Sequence, residues 1–444
     1  MVVLKPWLQG TQCVGEKGQL EIGGCSTFQI AYDYGTPVHV IDEKFARQRM
    51  LEYVEAFEDS YGYSHVSFAG KSFLCSAWCY VLEQEGMGLD VCSQGELHVA
   101  RKAGFPPEAI TVHGCAKDRE FLEAAIDYRV GRIVIDNLDE IRVISNLADQ
   151  FDVKQGVLIR VVPGVDTHTQ AKISTGAPNT KFGCHIVGGI ATEGVREILD
   201  SPNLVFGGLH SHIGSSITDF QGFYDQIDEV LQFARAIEKD FKAEIPEVNI
   251  GGGLGIAYLP DEQVPTITEF VEAICSHFKA SLEKYEVASK PQLSAEPGRS
   301  IIAPAGITLQ KVCVVKKIPD GTVHVILDGG LSNNPRVVMY DAKYHMFLAN
   351  RPQAQHDMRV TVSGSHCETD LIREDVLVPH DIRPGDIMVV QCTGAYGHVM
   401  SSNYNGTCRP AVILVNDGAA NLIVQREEFD DLVYRDSVPA RLLK

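Results

Sequence analysis

The sequence has few of the features that mark membrane or nucleic-acid-binding proteins. No run approaches the roughly 18 consecutive apolar residues that a membrane-spanning helix needs. Basic side chains are scarce, with 39 lysines and arginines against 58 acidic residues, which gives a formal net charge of −19. This charge repels nucleic-acid phosphates and anionic membranes, so we expect neither as a partner.

The features of an exported, disulfide-bonded protein are also missing. The opening MVVLKPWLQG has no basic segment followed by an apolar one, which is the pattern of an export signal. The 12 cysteines are scattered and never form a C-x-x-C pair. We therefore expect reduced thiols and a cytoplasmic location. With 45% hydrophobic and 22% charged residues, the composition is that of an ordinary globular protein, and 444 residues predict two or three domains.

A short apolar run followed by an amphipathic helical segment recurs along the first two thirds of the chain. The runs are almost continuously apolar, as expected for parallel strands that are buried on both faces. There are eight of them: HVSFAGK at 65–71, LDVCS at 89–93, ITVHG at 110–114, RIVID at 132–136, VLIRVV at 157–162, LVFGGLH at 204–210, EVNIGGG at 247–253 and QLSAEPG at 292–298. This alternation predicts an α/β fold with a (β/α)8 TIM barrel, and an open doubly wound sheet is the alternative.

The pattern changes after about residue 300. Strand-like runs such as KVCVVKKI and AVILVND are now separated by turn signals, with few long helical patterns between them. This favours a mostly antiparallel β domain, a sandwich or a barrel. The first 35 residues are irregular and glycine-rich and could join it. We therefore predict a barrel over residues 37–303 and a β-rich domain from residues 1–36 plus 304–444.

Polar residues and glycines collect at the ends of the predicted barrel strands, where the reacting groups of such barrels lie. They are Lys71, Ser93, His113, Asp136, His210, His212, Gly251 to Gly253, Glu296 and Arg299. A lysine at a strand end is partly desolvated, which lowers its pKa and makes its amine a candidate nucleophile for Schiff-base chemistry. The structural alternative is a lysine that extends its amine into solvent.

Two glycine-containing loops point to an anion. Gly251 to Gly253 follow the seventh strand and Glu296 to Arg299 follow the eighth, where barrels commonly bind phosphate. Glycines let backbone N–H groups approach an anion, and Arg299 adds positive charge. The segment GGGLG is also similar to a dinucleotide-binding fingerprint, but it lacks the third glycine.

A metal-dependent hydrolase is the alternative at the same strand ends. His210 and His212 would provide two imidazoles, and His113 and Asp136 could complete the ligand set. In the β-rich part, Cys367 and the turns around it suggest no chemistry when read singly, since a free cysteine is by default an inert one. The residues alone thus indicate a phosphate-binding barrel with an available lysine.

Taken in chain order, the segments resemble the fold-type III pyridoxal-phosphate decarboxylases, the group IV amino-acid decarboxylases. The resemblance covers nearly the whole chain and implies an alanine racemase-like barrel with pyridoxal 5′-phosphate as its cofactor and no metal. The matching motifs are FAGKSF, GLDVCSQGEL, HGCAK, PGVDTHTQAKISTGAPNTKFG, HSHIGSSI, NIGGGLGIAY, EPGRS, DGGLSNNPRVVMYDAKYH, HCETDLI and GAYGHVMSSNYNGTCRP.

The resemblance also implies a role for each matching residue. Lys71 would bind the cofactor covalently, and Cys367 would be the proton donor. The cofactor-binding residues would be Lys71, His212, Ser215, Gly252, Gly253, Glu296, Gly298, Arg299 and Tyr396. The substrate-binding residues would be Arg299, Arg336, Tyr340, Glu368 and Tyr396.

The activity that the resemblance implies is decarboxylation of meso-2,6-diaminopimelate to L-lysine and CO2, the last step of lysine biosynthesis. It also implies a homodimer with shared active sites, in which Cys367 and Glu368 reach the site of the other subunit. Relatives that act on ornithine, lysine, arginine or carboxynorspermidine would share the cofactor set and are the alternative. Arg336, Tyr340 and the Cys-Glu-Thr context favour the substrate with a distal carboxylate.

Overall fold

The computed structural model of the chain describes residues 7–165 and 179–443 and divides into two compact units. The barrel unit contains the described residues of 47–256 and 263–301. The β unit contains the described residues up to Ala46, the segment Ala257–Glu262, and the described residues from Ile302 onward. Most of the segment PGVDTHTQAKISTGAPNTKFG lies outside the described residues.

The strands of the described residues are numbered in chain order. They are β1 Cys13–Val14, β2 Leu20–Ile22, β3 Cys25–Ser26, β4 Val38–Asp42, β5 Ser64–Ala69, β6 Gly88–Val91, β7 Ile110–Val112, β8 Arg132–Ile135, β9 Gln155–Val162, β10 Cys184–His185, β11 Leu204–His210, β12 Glu247–Asn249, β13 Gln292–Ala295, β14 Gly306–Lys317, β15 Val323–Leu327, β16 Met346–Leu348, β17 Met358–Ser363, β18 Leu371–Val378, β19 Ile387–Val390, β20 Ala411–Asn416 and β21 Ala419–Val424.

The α-helices are numbered in the same way. They are α1 Thr27–Tyr34, α2 Glu43–Ser60, α3 Ser76–Gln84, α4 Gln94–Ala103, α5 Arg119–Asp127, α6 Leu138–Gln150, α7 Ile190–Asp200, α8 Gln221–Phe241, α9 Ile267–Lys284, α10 Arg299–Ala305, α11 Arg336–Tyr340 and α12 Phe429–Val433. Short 3-10 turns occupy Gly70–Ser72, Pro107–Ala109, His398–Met400, Tyr404–Gly406 and Ala440–Leu442. Among these helices, none combines the length and the hydrophobicity that a membrane crossing requires.

Eight parallel strands form a closed barrel in the order β5, β6, β7, β8, β9, β11, β12 and β13. The sheet closes because β13 pairs with β5, where Ala295 lies opposite Val66. All residues of β6, β7 and β12 are buried, as the continuous apolar runs predict. The prediction of a (β/α)8 barrel is therefore confirmed, and the pairing that closes the sheet excludes the open alternative.

Side-chain caps start the helices that follow barrel strands. Ser93, Asp118 and Asn137 each accept a hydrogen bond from a backbone N–H in the first turn of α4, α5 and α6. Such caps satisfy N–H groups that otherwise have no partner inside the helix. Ser93, a candidate functional residue by its position, thus has a structural role as a helix cap.

The β unit is built on a mostly antiparallel sheet in the order β18, β17, β15, β14, β4, β20 and β21, and β19 pairs with both β14 and β16. Two neighbouring pairs, β15 with β17 and β4 with β20, are parallel. The long strand β14 supplies Ile307 and Leu309 to one hydrophobic core and Val312 to another. The predicted second domain with an antiparallel sheet is therefore confirmed.

The barrel unit begins at Arg47, whereas the sequence predicts that the barrel begins at residue 37. Strand β4 lies in the β unit, because it pairs with β14 and β20, for example at Val40 opposite Ile307. All five of its residues are buried, so its apolar run has the same pattern as a barrel strand. The short segment Ala257–Glu262 also lies in the β unit, where the carbonyl of Tyr258 accepts a hydrogen bond from the N–H of His345 at 3.1 Å.

Three histidines, of which His39 is buried and His345 and His398 are partly buried, make the stability of the β unit sensitive to acid. Burial lowers the pKa of His39 to about 3 and the pKa values of His345 and His398 to about 4. An unfolded histidine has a pKa of about 6.5, so the unfolded state binds more protons as the pH falls. We expect the free energy of unfolding to decrease between about pH 6.5 and pH 4, by up to about 1.4 kcal/mol per pH unit for each histidine.

Urea unfolding measured at several pH values in this window tests the expectation. The variant His39→Asn should lower the slope of stability against pH by about one proton. The matched variant His98→Asn, at an exposed position on α4, should leave the slope unchanged. Equal slopes for the parent protein and His39→Asn would contradict the account.

Candidate functional site

Lys71 lies at the carboxyl end of β5, in the turn Gly70–Ser72. Its side chain is 42% exposed, and its Nζ lies 3.7 Å from Oδ2 of the fully buried Asp90 on β6. Burial raises the pKa of Asp90, although the charges of His113 and Lys71 oppose the shift. The lysine therefore has an acidic neighbour at the carboxyl end of the barrel, and its amine remains partly accessible.

Glu296 is a buried carboxylate that accepts three hydrogen bonds. Its Oε1 accepts from Nε2 of His113 and Nδ2 of Asn249, both at 2.9 Å, and its Oε2 accepts from Nε2 of His210 at 3.1 Å. Burial alone would raise the pKa of Glu296, but the two imidazoles outweigh it and hold this pKa well below its usual range. Burial also lowers the pKa of His210 to about 4. Glu296 is thus an ionised carboxylate inside the barrel.

The predicted metal ligands are only partly brought together. The ligand atoms of His113, His210 and Glu296 lie within 4.8 Å of one another, whereas His212 and Asp136 are not part of this cluster. A carboxylate only accepts hydrogen bonds, so both imidazoles must direct an N–H toward Glu296. An ion held there would need their lone pairs instead. The geometry therefore favours a carboxylate stabilised by two N–H donors over a metal centre.

The two predicted phosphate loops lie side by side. The N–H of Glu296 donates to the carbonyl of Gly251 at 2.8 Å, which joins the loops after β12 and β13, and the N–H of Ile217 in the loop after β11 donates to the carbonyl of Gly253 at 2.9 Å. Gly253 has a φ of +139°, and a Cβ on it would lie 2.7 Å from the carbonyl oxygen of Gly214. A Cβ on Gly252 would lie 2.2 Å from the carbonyl oxygen of Glu296. Only glycine permits this approach of the backbones.

Arg299 and Ser215 meet beside these loops. Nε and Nη2 of Arg299 donate to Oγ of Ser215 at 3.2 and 2.9 Å, and Arg299 is 7% exposed. Gly298 lies near the lysine turn, because a Cβ on it would be 2.8 Å from Oγ of Ser72. The structure thus gathers the glycines, a hydroxyl and a guanidinium at the ends of β11, β12 and β13.

His212 follows β11 and is partly buried. Burial and the positive charge of Lys71 hold its pKa well below the usual range, so its ring is neutral. The loop after β12 approaches it closely, since a Cβ on Gly251 would lie 2.8 Å from Nδ1 of His212. A neutral ring at this position presents a flat surface to an aromatic ligand.

The β unit holds a second group of predicted residues, centred on Arg336. Nη1 of Arg336 donates to the hydroxyls of Tyr258 at 3.0 Å and Tyr344 at 2.9 Å. The guanidinium lies 5.7 Å from the ring centre of Tyr396 and 5.9 Å from that of Tyr340. Burial opposes its charge, but the tyrosine oxygens outweigh burial and raise its pKa.

Arg336 is therefore a buried cation that is surrounded by tyrosines. It is 7% exposed, and in the described residues no carboxylate lies within 4.0 Å of it. Tyr396 has a φ of +57°, a conformation that costs free energy for a bulky side chain and is concentrated at functional sites. The arrangement is suited to binding an anionic ligand.

Cys367 and Glu368 lie in the turn between β17 and β18. Both are exposed. The backbone N–H of Cys367 donates to Oδ1 of Asn405 at 3.2 Å, and the hydroxyl of Tyr404 donates to Oε1 of Glu368. The thiol and the carboxylate therefore stand next to each other on one exposed tip of the β unit.

Several residues at these sites are not singled out by the sequence pattern. Asp90 lies inside an apolar run, and the signal for it is a single charged residue in a strand that is otherwise apolar. Tyr258 and Tyr344 belong to the matched motifs NIGGGLGIAY and DGGLSNNPRVVMYDAKYH, but nothing local shows that they meet at Arg336. Asp136, at the end of β8, lies 3.9 Å from Nη1 of Arg160 and outside the Glu296 cluster.

Comparisons with known proteins agree with this geometry. Residues 47–303 match the family described as "Pyridoxal-dependent decarboxylase, pyridoxal binding domain". The chain is 38% identical to a diaminopimelate decarboxylase of Bacillus subtilis, over 97% of this chain and 98% of the relative. It is 40% identical to one of Mycobacterium tuberculosis, over 94% and 95% of the two chains. A solved diaminopimelate decarboxylase from M. jannaschii in complex with L-lysine superposes with a TM-score of 0.90, at 32% identity over 98% of this chain and 99% of that one.

Proposed function

The chain belongs to the family of pyridoxal-dependent decarboxylases, and on this basis we propose that it converts meso-2,6-diaminopimelate to L-lysine and CO2. The observation that carries the choice of substrate is Arg336, a buried guanidinium among tyrosine side chains. The distal carboxylate of diaminopimelate would supply its counter-charge. Ornithine and lysine have no such carboxylate, and a site built to pair with one rejects analogues that lack it.

The barrel residues fit pyridoxal 5′-phosphate in the chemistry of their donor groups. Lys71 offers an accessible amine for the aldehyde, and the ionised Glu296 offers a buried counter-charge for a protonated ring nitrogen. The glycine loops with Ser215 and Arg299 offer a cradle for the phosphate. When bound, the cofactor supplies a ring that accepts the electron pair released as the bond between Cα and the carboxylate breaks.

The chain's own residues would then bind, orient and move protons. The amine of Lys71 would hold the cofactor. The flat ring of His212 supports the aromatic ring, while Gly252, Gly253 and Gly298 leave room for it. Sγ of Cys367 donates the proton that replaces CO2 on Cα.

The second group of residues would recognise the distal end of the substrate. Arg336 would bind the distal carboxylate, and Arg299, Tyr340 and Tyr396 would be the other residues that bind the substrate. The carboxylate of Glu368 binds the distal ammonium. The distal end of the substrate carries both a carboxylate and an ammonium group. Binding both groups would select for the length of the substrate and for its charges together.

We propose a homodimer in which Cys367 and Glu368 complete the active site of the partner subunit. Both side chains are exposed on the tip of the β unit. The C-terminal part of the chain also exposes large apolar side chains, namely Phe429 at 80%, Tyr434 at 86% and Leu443 at 65%. Exposed apolar groups in such number support a contact with a second protein surface.

Complementation between two inactive variants tests the shared site. Lys71→Ala and Cys367→Ala, mixed after dissociation, should form dimers in which one site has both residues. Random exchange gives about a quarter of the parent activity, because half of the dimers are mixed and each has one intact site of two. No recovery after confirmed exchange would contradict shared sites and favour a site made by one chain.

Product analysis tests the function itself. The purified protein with added pyridoxal 5′-phosphate should convert meso-diaminopimelate to one equivalent of L-lysine, detected by mass spectrometry. Omission of the cofactor from the apoprotein should abolish the product. Consumption of substrate without L-lysine, or no consumption by cofactor-loaded protein, would overturn the proposal.

A further inference from the structure

The tip that carries Cys367 and Glu368 is bracketed by two buried residues. Cys367 to Thr369 are exposed, whereas His366 and Asp370 on either side are 8% and 5% exposed. The N–H of Gly364 donates to the carbonyl of Asp370 at 2.8 Å, which closes the turn below the tip. The exposed residues have little packing of their own, so the bracketing residues must determine their geometry.

A direct hydrogen bond joins the two bracketing side chains. Nδ1 of His366 lies 2.6 Å from Oδ2 of Asp370, and the backbone N–H of His366 donates to the same oxygen at 3.2 Å. The other oxygen of Asp370 accepts from the N–H of Leu331 at 2.8 Å, which ties the pair to the body of the unit. Asp370 has a φ of +39°, so the chain turns sharply where the tip ends.

The ring of His366 is linked to Glu368 through Tyr404. The rings of His366 and Tyr404 are stacked, with centres 5.9 Å apart and planes inclined by 20°. The hydroxyl of Tyr404 donates to the carboxylate of Glu368. The next residue, Asn405, accepts from the N–H of Cys367 at 3.2 Å. A continuous set of contacts thus runs from Asp370 through His366 and Tyr404 to the two exposed residues.

We propose that His366 and Asp370 are positioning residues, which lock the tip so that Cys367 and Glu368 meet the substrate in one geometry. The inference rests on the proposed function, in which these two residues act on the substrate. In this proposal His366 acts through its neighbours: its Nδ1 is engaged by Asp370, and its ring stacks on Tyr404. Its contribution is the orientation of Tyr404 and of the tip.

Two measurements on the holoenzyme test the proposal. His366→Ala and Asp370→Asn should lower kcat/KM for meso-diaminopimelate by roughly 10- to 100-fold, since small misplacements of reacting groups are costly. In the absence of substrate, hydrogen–deuterium exchange in the peptide that contains residues 364–370 should become faster in both variants. His366→Phe keeps an aromatic face for Tyr404 without the bond to Asp370, and its kcat/KM should lie between those of the parent and His366→Ala.

The contact from Tyr404 to Glu368 and the contact from Asn405 to Cys367 should affect different kinetic constants. Tyr404→Phe should mainly raise KM, because Tyr404 orients the carboxylate that binds the distal ammonium. Asn405→Gly should mainly lower kcat, because Asn405 holds the backbone of Cys367, and glycine tolerates the φ of +54° at that position. A purely structural role would change both constants alike in every variant.

Ser365→Ala is the matched control, since Ser365 is exposed in the same turn, and its kcat/KM should stay within about twofold of the parent value. If His366→Phe and Asp370→Asn keep the parent kcat/KM while Cys367→Ala is strongly slowed, the positioning role is overturned and the proposed function is not. Parent-like turnover in Cys367→Ala would instead overturn the proposed proton donor. The exchange rates of the tip then decide whether His366 and Asp370 order it, because that readout requires no catalysis.

Discussion

Lys71→Ala should reduce kcat for meso-diaminopimelate by roughly three orders of magnitude or more, because under the proposed function the chain loses the amine that holds the cofactor. Borohydride reduction of the parent holoenzyme, followed by peptide mapping, should place the reduced cofactor on Lys71. The same treatment of Lys71→Ala should give no adduct on the peptide that follows β5. The variant also removes the amine that lies 3.7 Å from the buried Asp90, although His113 remains 3.6 Å from the same side chain.

Lys102→Ala is the matched control for this experiment. Lys102 is exposed on α4, away from the strand ends, so its removal should leave both kcat and the adduct on Lys71 unchanged. A reduced cofactor on any other lysine, or a Lys71→Ala protein with parent-like turnover, would contradict the assignment of Lys71.

Arg336→Met should lower kcat/KM for meso-diaminopimelate by roughly 10²- to 10³-fold, because it removes the buried partner of a carboxylate. Methionine keeps an unbranched chain of similar length but cannot donate hydrogen bonds. The loss should appear mainly in KM if Arg336 binds the distal carboxylate equally in the substrate and in the transition state. Initial rates over a range of substrate concentrations separate the two constants.

Selectivity distinguishes recognition of the substrate from general damage to the site. Because ornithine lacks the distal carboxylate, Arg336→Met should leave its slow turnover nearly unchanged, so the preference for meso-diaminopimelate should shrink. Arg359→Met, at a side chain that is 67% exposed in the same unit, should change neither substrate. Equal losses for both substrates in Arg336→Met would show that Arg336 does not recognise the distal end.

Much of the barrel could be predicted because its strands carry a local signal. A strand buried on both faces is apolar at most of its positions, so the eight runs can be recognised without knowledge of their partners. Strand β4 has the same signal, VHVID, yet it pairs in the other sheet. Which sheet a buried strand joins depends on pairing with residues far away in sequence, and a local pattern does not contain that information.

The site residues also divide into those that the local sequence identifies and those that depend on contacts between distant residues. Glycines and charged residues at strand ends mark the catalytic edge of a barrel. This pattern identifies Lys71, Glu296 and Arg299 as candidate site residues. The pattern left His113 and His210 open as metal ligands, and only the geometry shows that both direct an N–H to Glu296. The meeting of Tyr258 with Arg336 likewise joins residues that are 78 positions apart.

The comparison of CO2 release from meso-diaminopimelate, ornithine, lysine and arginine tests the central claim most directly. The parent protein, saturated with pyridoxal 5′-phosphate, should release CO2 from meso-diaminopimelate at a kcat/KM at least about 10³-fold above that for the other three, since only this substrate pairs with Arg336. A higher kcat/KM for ornithine, lysine or arginine would contradict the account and assign the chain to a different substrate.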